Sequence, residues 1–318
     1  MTAHAPGTPL PAIELRFLDI ERWSSGNAGI PYVWTYEAPR PGPHTLIQAL
    51  THGNEVCGAI ALDWALRKGI TPQRGRLTYC FANVEAYQGF DAADPFASRC
   101  VQEDFNRLWS SEVLHSARSS AELKRARELQ PVYDTADLLL DLHSMTDPCP
   151  ALAMAGSHAK GIALARGLGV PEHIVVDRGH AAGKRLRDYA FFDDPDDARA
   201  ALLVECGQHW ERAAAKVAQE VLLRFLAHSQ QLEPALALPP PEAPQRVLQV
   251  TDAITITSED FGFVMPVQAL GVVERAGTVL ARDGDKLIRT PYDRCVLVMP
   301  TRRPRIGETA VRLARYID

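Results

Sequence analysis

The sequence predicts an α/β protein built on a mostly parallel, mixed sheet with helices on both faces, followed by a small β-rich segment. Three observations predict it. Apolar runs at residues 45–50, 77–82, 138–142 and 201–204 are near-continuous rather than alternating, as expected of strands buried on both faces. Helical patterns ending at Arg67 and covering 119–135, 161–169 and about 210–228 separate them, the order that builds parallel sheets. Beyond Pro239, Pro240, Pro241 and Pro244 the pattern changes to strands with glycine-containing turns.

Taken in order, residues 13–36 read as strands with turn signals at Ser25-Gly26-Asn27 and Ala28-Gly29. The strand at 45–50 runs through Thr51-His52-Gly53-Asn54-Glu55 into the first helix. Residues 177–197 form a loop rich in Gly, Asp and Arg. The proline cluster predicts three parts: a catalytic domain at 1–231, a stiff linker at 232–244 and a β-rich domain at 245–318 covering the cleft. Strands are expected there at 247–257, 271–281 and 295–299.

Bulk composition removes several function classes. Hydrophobic residues make up 46% of the 318, enough for a sizeable core, and no apolar run reaches membrane-spanning length. A net charge of −5 without a Lys/Arg block argues against nucleic acid as a partner. The six cysteines are scattered singly, so neither a zinc ribbon nor a disulfide framework is indicated. The first twelve residues show no signal-peptide pattern, and a reducing cytoplasm is the expected compartment. A homo-oligomer remains open.

The chemistry concentrates at strand ends. His52 and Glu55 lie three apart at a strand-to-helix junction, expected on one face of an opening helical turn, and His143 follows the strand at 138–142. A His/Glu/His set leaves zinc one open position, the pattern of catalytic sites, where water becomes acidic enough to yield hydroxide near neutral pH. Glu205, ending the strand at 201–204, is the natural general base. All four stand at carboxyl ends of strands, where open α/β sheets place ligands. Asp141, two before His143, is expected either to orient that histidine or to bind backbone.

The motifs Thr51-His52-Gly53-Asn54-Glu55, Glu103-Asp104-Phe105-Asn106-Arg107, Asp141-Leu142-His143-Ser144 and Val204-Glu205-Cys206-Gly207 together resemble the succinylglutamate desuccinylase/aspartoacylase family, within the zinc carboxypeptidase-like superfamily. The resemblance implies one zinc per chain on His52, Glu55 and His143, with Glu205 shuttling protons. It implies that Arg99 polarises the scissile carbonyl and that Asn106 and Arg107 hold a substrate carboxylate, a role suited to arginine's planar fork. It also places Tyr292 against the substrate. The pattern breaks where a further substrate arginine is expected: Pro195 stands there, with Arg199 nearby, and Arg185 or Arg187 is expected to substitute. The expected activity is hydrolysis of a small N-acyl amino acid. A peptide carboxypeptidase and a silent binding protein are the alternatives.

Overall fold

A computed structural model describes residues 11–179, 182–232 and 238–318. The strands are β1 (Val33–Glu37), β2 (His44–Ala49), β3 (Arg76–Phe81), β4 (Leu138–Met145), β5 (Leu152–Met154), β6 (His173–Val176), β7 (Ala200–Gln208), β8 (Arg246–Thr255), β9 (Gly262–Phe263), β10 (Val272–Val273), β11 (Val279–Asp283), β12 (Lys286–Arg289), β13 (Cys295–Val298) and β14 (Thr309–Tyr316). The helices are α1 (Val56–Arg67), α2 (Val84–Gln88), α3 (Ser111–Leu114), α4 (Ala121–Tyr133), α5 (Ala159–Leu168) and α6 (Arg212–His228). None is long and apolar enough to cross a membrane.

One eleven-stranded mixed sheet runs β1-β3-β2-β4-β7-β5-β6-β8-β14-β13-β10, and a three-stranded antiparallel sheet, β12-β11-β9, stands apart. The β3-β2-β4-β7 core is wholly parallel, as the continuous apolar runs require. β2 is buried along its whole length. Helices α1, α5 and α6 cover one face around Leu62, Val204 and Phe225, while α4 covers the other around Leu123 and Leu129. Burying both faces is what lets the central strands dispense with polar alternation.

Several expectations need adjusting. Residues 13–36 supply only β1, preceded by a 3-10 turn at Glu21–Trp23. β5 and β6 escape the sequence pattern because they are only three and four residues long. The β-rich segment begins as expected, but β8 pairs in parallel with β6, so the main sheet continues past the proline cluster. Of that expected linker, residues 233–237 lie outside the described residues. The final strand, β14, was absent from the sequence expectation. It makes the broad ladder with β8 that ties the last residues into the sheet.

Candidate active site

The turn that carries the candidate metal ligands His52 and Glu55 begins at Leu50, whose φ of 62° is unusual for a branched side chain. The Ala82 and Asn83 amides hold the strained segment by donating to the Ala49 and Leu50 carbonyls. His52 to Glu55 then form a turn, not the opening of a helix: α1 starts at Val56, with Glu55 as its cap residue. Gly53 must be glycine. A Cβ there would lie 2.4 Å from the Ser98 carbonyl oxygen and from the Tyr87 backbone nitrogen. Its amide donates to the Arg99 carbonyl at 3.1 Å, which ties this turn to the loop bearing the expected arginine.

His143 lies within β4, which runs three residues further than expected, and Glu205 lies within β7, directly opposite it in register. His52, Glu55 and His143 are buried, and their ligating atoms fall within 4.8 Å of one another. The Glu55 carboxylate bridges the two rings, with Oε1 at 2.6 Å from His52 Nδ1 and Oε2 at 2.9 Å from His143 Nδ1. The outer ring nitrogens meet carboxylates too: His52 Nε2 is 2.9 Å from Asp104 Oδ1, and His143 Nε2 is 2.8 Å from Asp141 Oδ2.

That arrangement fits a metal ion. Each imidazole turns Nδ1 inward, while its Nε2–H donates to an aspartate that fixes the tautomer and the ring plane. Asp141 is itself held by Thr51 Oγ1 at 2.8 Å and Gln48 Nε2 at 3.2 Å, which makes it the orienting carboxylate. The local field also favours a cation. Burial alone would raise the Glu55 carboxyl, but the His52 and His143 charges outweigh it and hold it well below the usual range. Burial alone would lower His143, but Asp141 and Glu55 carry it well above its ordinary value.

Asp104, whose role sequence reasoning missed, is the hinge of the site. Its Oδ2 accepts from Arg99 at 3.0 Å, its Oδ1 from the Asn106 amide at 2.9 Å as well as from His52. Arg99 therefore lies against the metal-binding turn, 3.6 Å from Glu55 Oε1. Its nitrogen is 2.8 Å from His52 Nε2, a contact between two donors that share Asp104 rather than a hydrogen bond between them. The same loop carries Asn106, whose Oδ1 accepts from the Leu186 amide, and Arg107, which donates to the Asn106 carbonyl at 2.7 Å. A cavity of about 450 Å³ opens here, lined by Asp104, Arg107, Arg118 and Lys184. The loop is clamped from behind by the buried Glu122 carboxylate of α4, which accepts the amides of Val101, Gln102 and Glu103.

Glu205 differs from every other acid of the site. Its Oε2 is buried without a hydrogen-bond partner among the described residues, and burial pushes its carboxyl up to about 8. Glu55 and Asp141 add to the rise, while His143 and Arg99 oppose it. A cation held by His52, Glu55 and His143 would bring it back towards a working base at neutral pH.

The remaining expected residues are engaged with other partners. Arg185 is saturated: it grips Asp177 through two nitrogens at 2.7 and 3.0 Å, and Asp188 through Nε at 2.6 Å. Arg187 is buried against Asp188 at 2.5 Å and the Ala201 carbonyl. Arg185 thus has its guanidinium engaged by two carboxylates, whereas the Arg187 Nε is buried without a hydrogen-bond partner among the described residues; His180 and Ala181 of that loop lie outside the described residues. Arg199 pairs with Asp197 at the surface. Tyr292 hydrogen-bonds Thr251 at 2.7 Å and faces Arg315, both from the C-terminal strands. His209, unremarked in the sequence, is pushed down to about 3 by burial and so stays neutral, bonded to Ser144 behind the ligands.

Comparison with known proteins places the fold. The fold is similar to a succinylglutamate desuccinylase from Vibrio parahaemolyticus, with TM-score 0.68 and 19% identity over 91% of this chain and 87% of that one. It is similar to a succinylglutamate desuccinylase/aspartoacylase from Rhodobacter sphaeroides, with TM-score 0.63 and 17% identity over 90% and 89%. It is also similar to the product-bound ectoine utilization protein EutE (DoeB) from Ruegeria pomeroyi, with TM-score 0.62 and 16% identity over 89% and 87%. No curated protein matches the sequence. Residues 41–229 match the model of the succinylglutamate desuccinylase/aspartoacylase catalytic domain, a span that takes in every candidate ligand and Glu205, and the chain belongs to that family.

Proposed function

We propose that this protein is a zinc-dependent amidohydrolase that cleaves the acyl group from a small N-acyl amino acid or a related carboxylate-bearing amide. The observation that carries the reading is the buried His52/Glu55/His143 cluster, each ring backed by an aspartate, beside a Glu205 oxygen without a hydrogen-bond partner among the described residues. Two imidazoles and one carboxylate suit zinc, with a position left open for catalysis. Bound there, the ion supplies Lewis acidity that activates water and polarises a carbonyl.

The chain's own groups then divide the work. Glu205 takes a proton from the attacking water and returns it to the leaving amine nitrogen, and the unsatisfied Oε2 is the atom for both transfers. Arg99, aligned by Asp104, presents fixed positive charge to the carbonyl oxygen as negative charge develops on it. Asn106 and Arg107 hold the substrate carboxylate. Water adds across the C–N bond, giving a free amine and a carboxylic acid.

The C-terminal segment limits substrate size in this reading. Arg303 pairs with Asp147 at 2.8 Å and lies over the Phe96 ring, so it touches the loop after β4 and the approach to Arg99. That contact supports a role in covering the cleft against long peptides. All six cysteines are free, which suits a cytoplasmic setting. The test is a hydrolysis panel of N-acetyl, N-succinyl and N-formyl amino acids with a tetrapeptide included, run on zinc-loaded protein. Turnover of a small N-acyl amino acid ahead of the tetrapeptide is expected. Preference for the tetrapeptide would make the protein a carboxypeptidase.

A further inference from the structure

Arg312 stands in the middle of β14, and its side chain points somewhere unexpected for a charge. In the ladder with β13, Arg312 lies opposite Val298 and Ala314 opposite Val296. Ala314, Val296 and Val298 pack together with Leu203 and Met145, whereas Val311 and Leu313 join a separate cluster on the other side. Strand alternation therefore sends Arg312 out on the face marked by Leu203. Glu205, two residues after Leu203 on β7, leaves by the same face.

The side chain is only 12% exposed, yet its guanidinium is poorly paired. Among the described residues a single acidic oxygen comes within 4.0 Å, Asp177 Oδ2 at 3.9 Å from Nε, and Arg185 already holds that carboxylate with two nitrogens. A cation buried this far normally has close, hydrogen-bonded carboxylates of its own. Arg107 shows the same deficit: its NH2 is 4.0 Å from Asp104. Burial, and then repulsion from Arg99, Arg185 and Arg312, lowers Arg107 below the usual range. Burial lowers Arg312 too, with Glu205 among the carboxylates that oppose the shift. Arg312 is thus close enough to act electrostatically on Arg107 and to feel the Glu205 carboxylate.

We infer that Arg312 is a specificity-determining residue: from the last strand of the sheet, its guanidinium receives an anionic group of the substrate, a carboxylate by class, distinct from the one held by Asn106 and Arg107. The inference rests on the amidohydrolase reading for what the pocket is for, though not for the existence of the anion site. A planar fork with unused N–H donors matches a carboxylate bidentately, and filling it relieves an under-paired buried charge. It also gives the C-terminal segment a direct part in substrate choice.

The experiment uses the full chain loaded with zinc, together with Arg312→Gln and Arg312→Lys. Each protein is titrated calorimetrically with succinate and with acetate, and melted without ligand. The expected result is that the parent protein binds succinate at least tenfold more tightly than acetate. Arg312→Gln should lose that preference at an unchanged or higher melting temperature, and Arg312→Lys should keep part of it. A purely structural arginine would instead lower the melting temperature and leave the preference intact. The inference is overturned if Arg312→Gln binds succinate like the parent, if the parent does not discriminate, or if neither variant folds. Hydrolysis of N-acyl amino acids is measured alongside. Succinate binding that depends on Arg312, without any turnover, would sink the amidohydrolase reading and leave the anion site standing.

Discussion

Replacing Asp104 with asparagine separates the alignment of Arg99 from the metal-binding turn itself. The aspartate receives three donors: His52 Nε2–H at 2.9 Å, the Asn106 amide at 2.9 Å and Arg99 at 3.0 Å. Asparagine keeps the shape but offers one acceptor oxygen. With that oxygen towards His52 and Asn106, its NH2 group faces the Arg99 guanidinium, donor against donor. With the amide reversed, the NH2 meets His52 instead. At least one charge-assisted hydrogen bond is lost in either arrangement, worth about 1.5–3 kcal/mol. At about 1.36 kcal/mol per factor of ten, kcat/KM should fall roughly 10- to 150-fold. Losing the partner of a ligating histidine costs about 10- to 100-fold in metal affinity, so the comparison is made with metal in excess. The assay pairs steady-state kinetics with metal content by mass spectrometry after desalting. A variant with kcat/KM within threefold of the parent would refute the hinge role of Asp104. So would a variant that regains full activity merely on adding metal, since Arg99 would then not depend on this carboxylate.

Other perturbations address single roles. Glu205→Gln should keep metal and fold while lowering kcat by about 10²- to 10⁴-fold, the usual worth of a proton-transferring group; near-normal turnover would remove Glu205 from the chemistry. Arg107→Ala should chiefly raise KM, because a carboxylate clamp acts in ground and transition states alike, and a pure kcat effect would reassign it. Acid stability tests the Asp188 cluster. Burial alone would raise that carboxyl, but Arg185 and Arg187 outweigh it and hold it below its usual value. A depressed folded pKa gives stability that is present above the unfolded value of about 3.9 and lost as pH falls through the lower folded value. Denaturant midpoints of the parent should therefore drop below about pH 4, and Asp188→Asn should flatten that drop. Identical pH profiles would contradict the pairing.

What the sequence disclosed follows from how local each signal is. His52, Glu55, His143 and Glu205 were legible because each adjoins a continuous apolar run, and such runs announce central strands. Their partners were partly legible: Asp141 sits two residues from His143, on the same side of β4, whereas Asp104 meets His52 only because the loop folds back across 52 positions. Arg185 and Arg187 looked available because a loop rich in Gly, Asp and Arg resembles a solvated surface. No local pattern shows that Asp177 and Asp188 engage Arg185, or that Arg187 is buried against Asp188. Arg312 was hidden for the opposite reason. It interrupts Thr-Ala-Val-Arg-Leu-Ala-Arg-Tyr, a strand-like run whose central arginine takes a position on an apolar face. An arginine at the inward phase of an alternating strand is the signal that could have found it. The turn at His52 to Glu55 was misread as helical because spacing alone cannot distinguish a turn ahead of a helix from the helix's first residues.

Metal content measured against activity bears most directly on the whole reading. Protein purified without chelator should carry one zinc per chain, lose activity in step with metal on chelation and recover it when zinc is returned. His52→Ala and Glu55→Gln should abolish both the metal and the turnover. Fully active protein holding less than about a third of an equivalent of metal and indifferent to chelators would contradict it, leaving the His52/Glu55/His143 cluster as a buried ion network with no part in the chemistry.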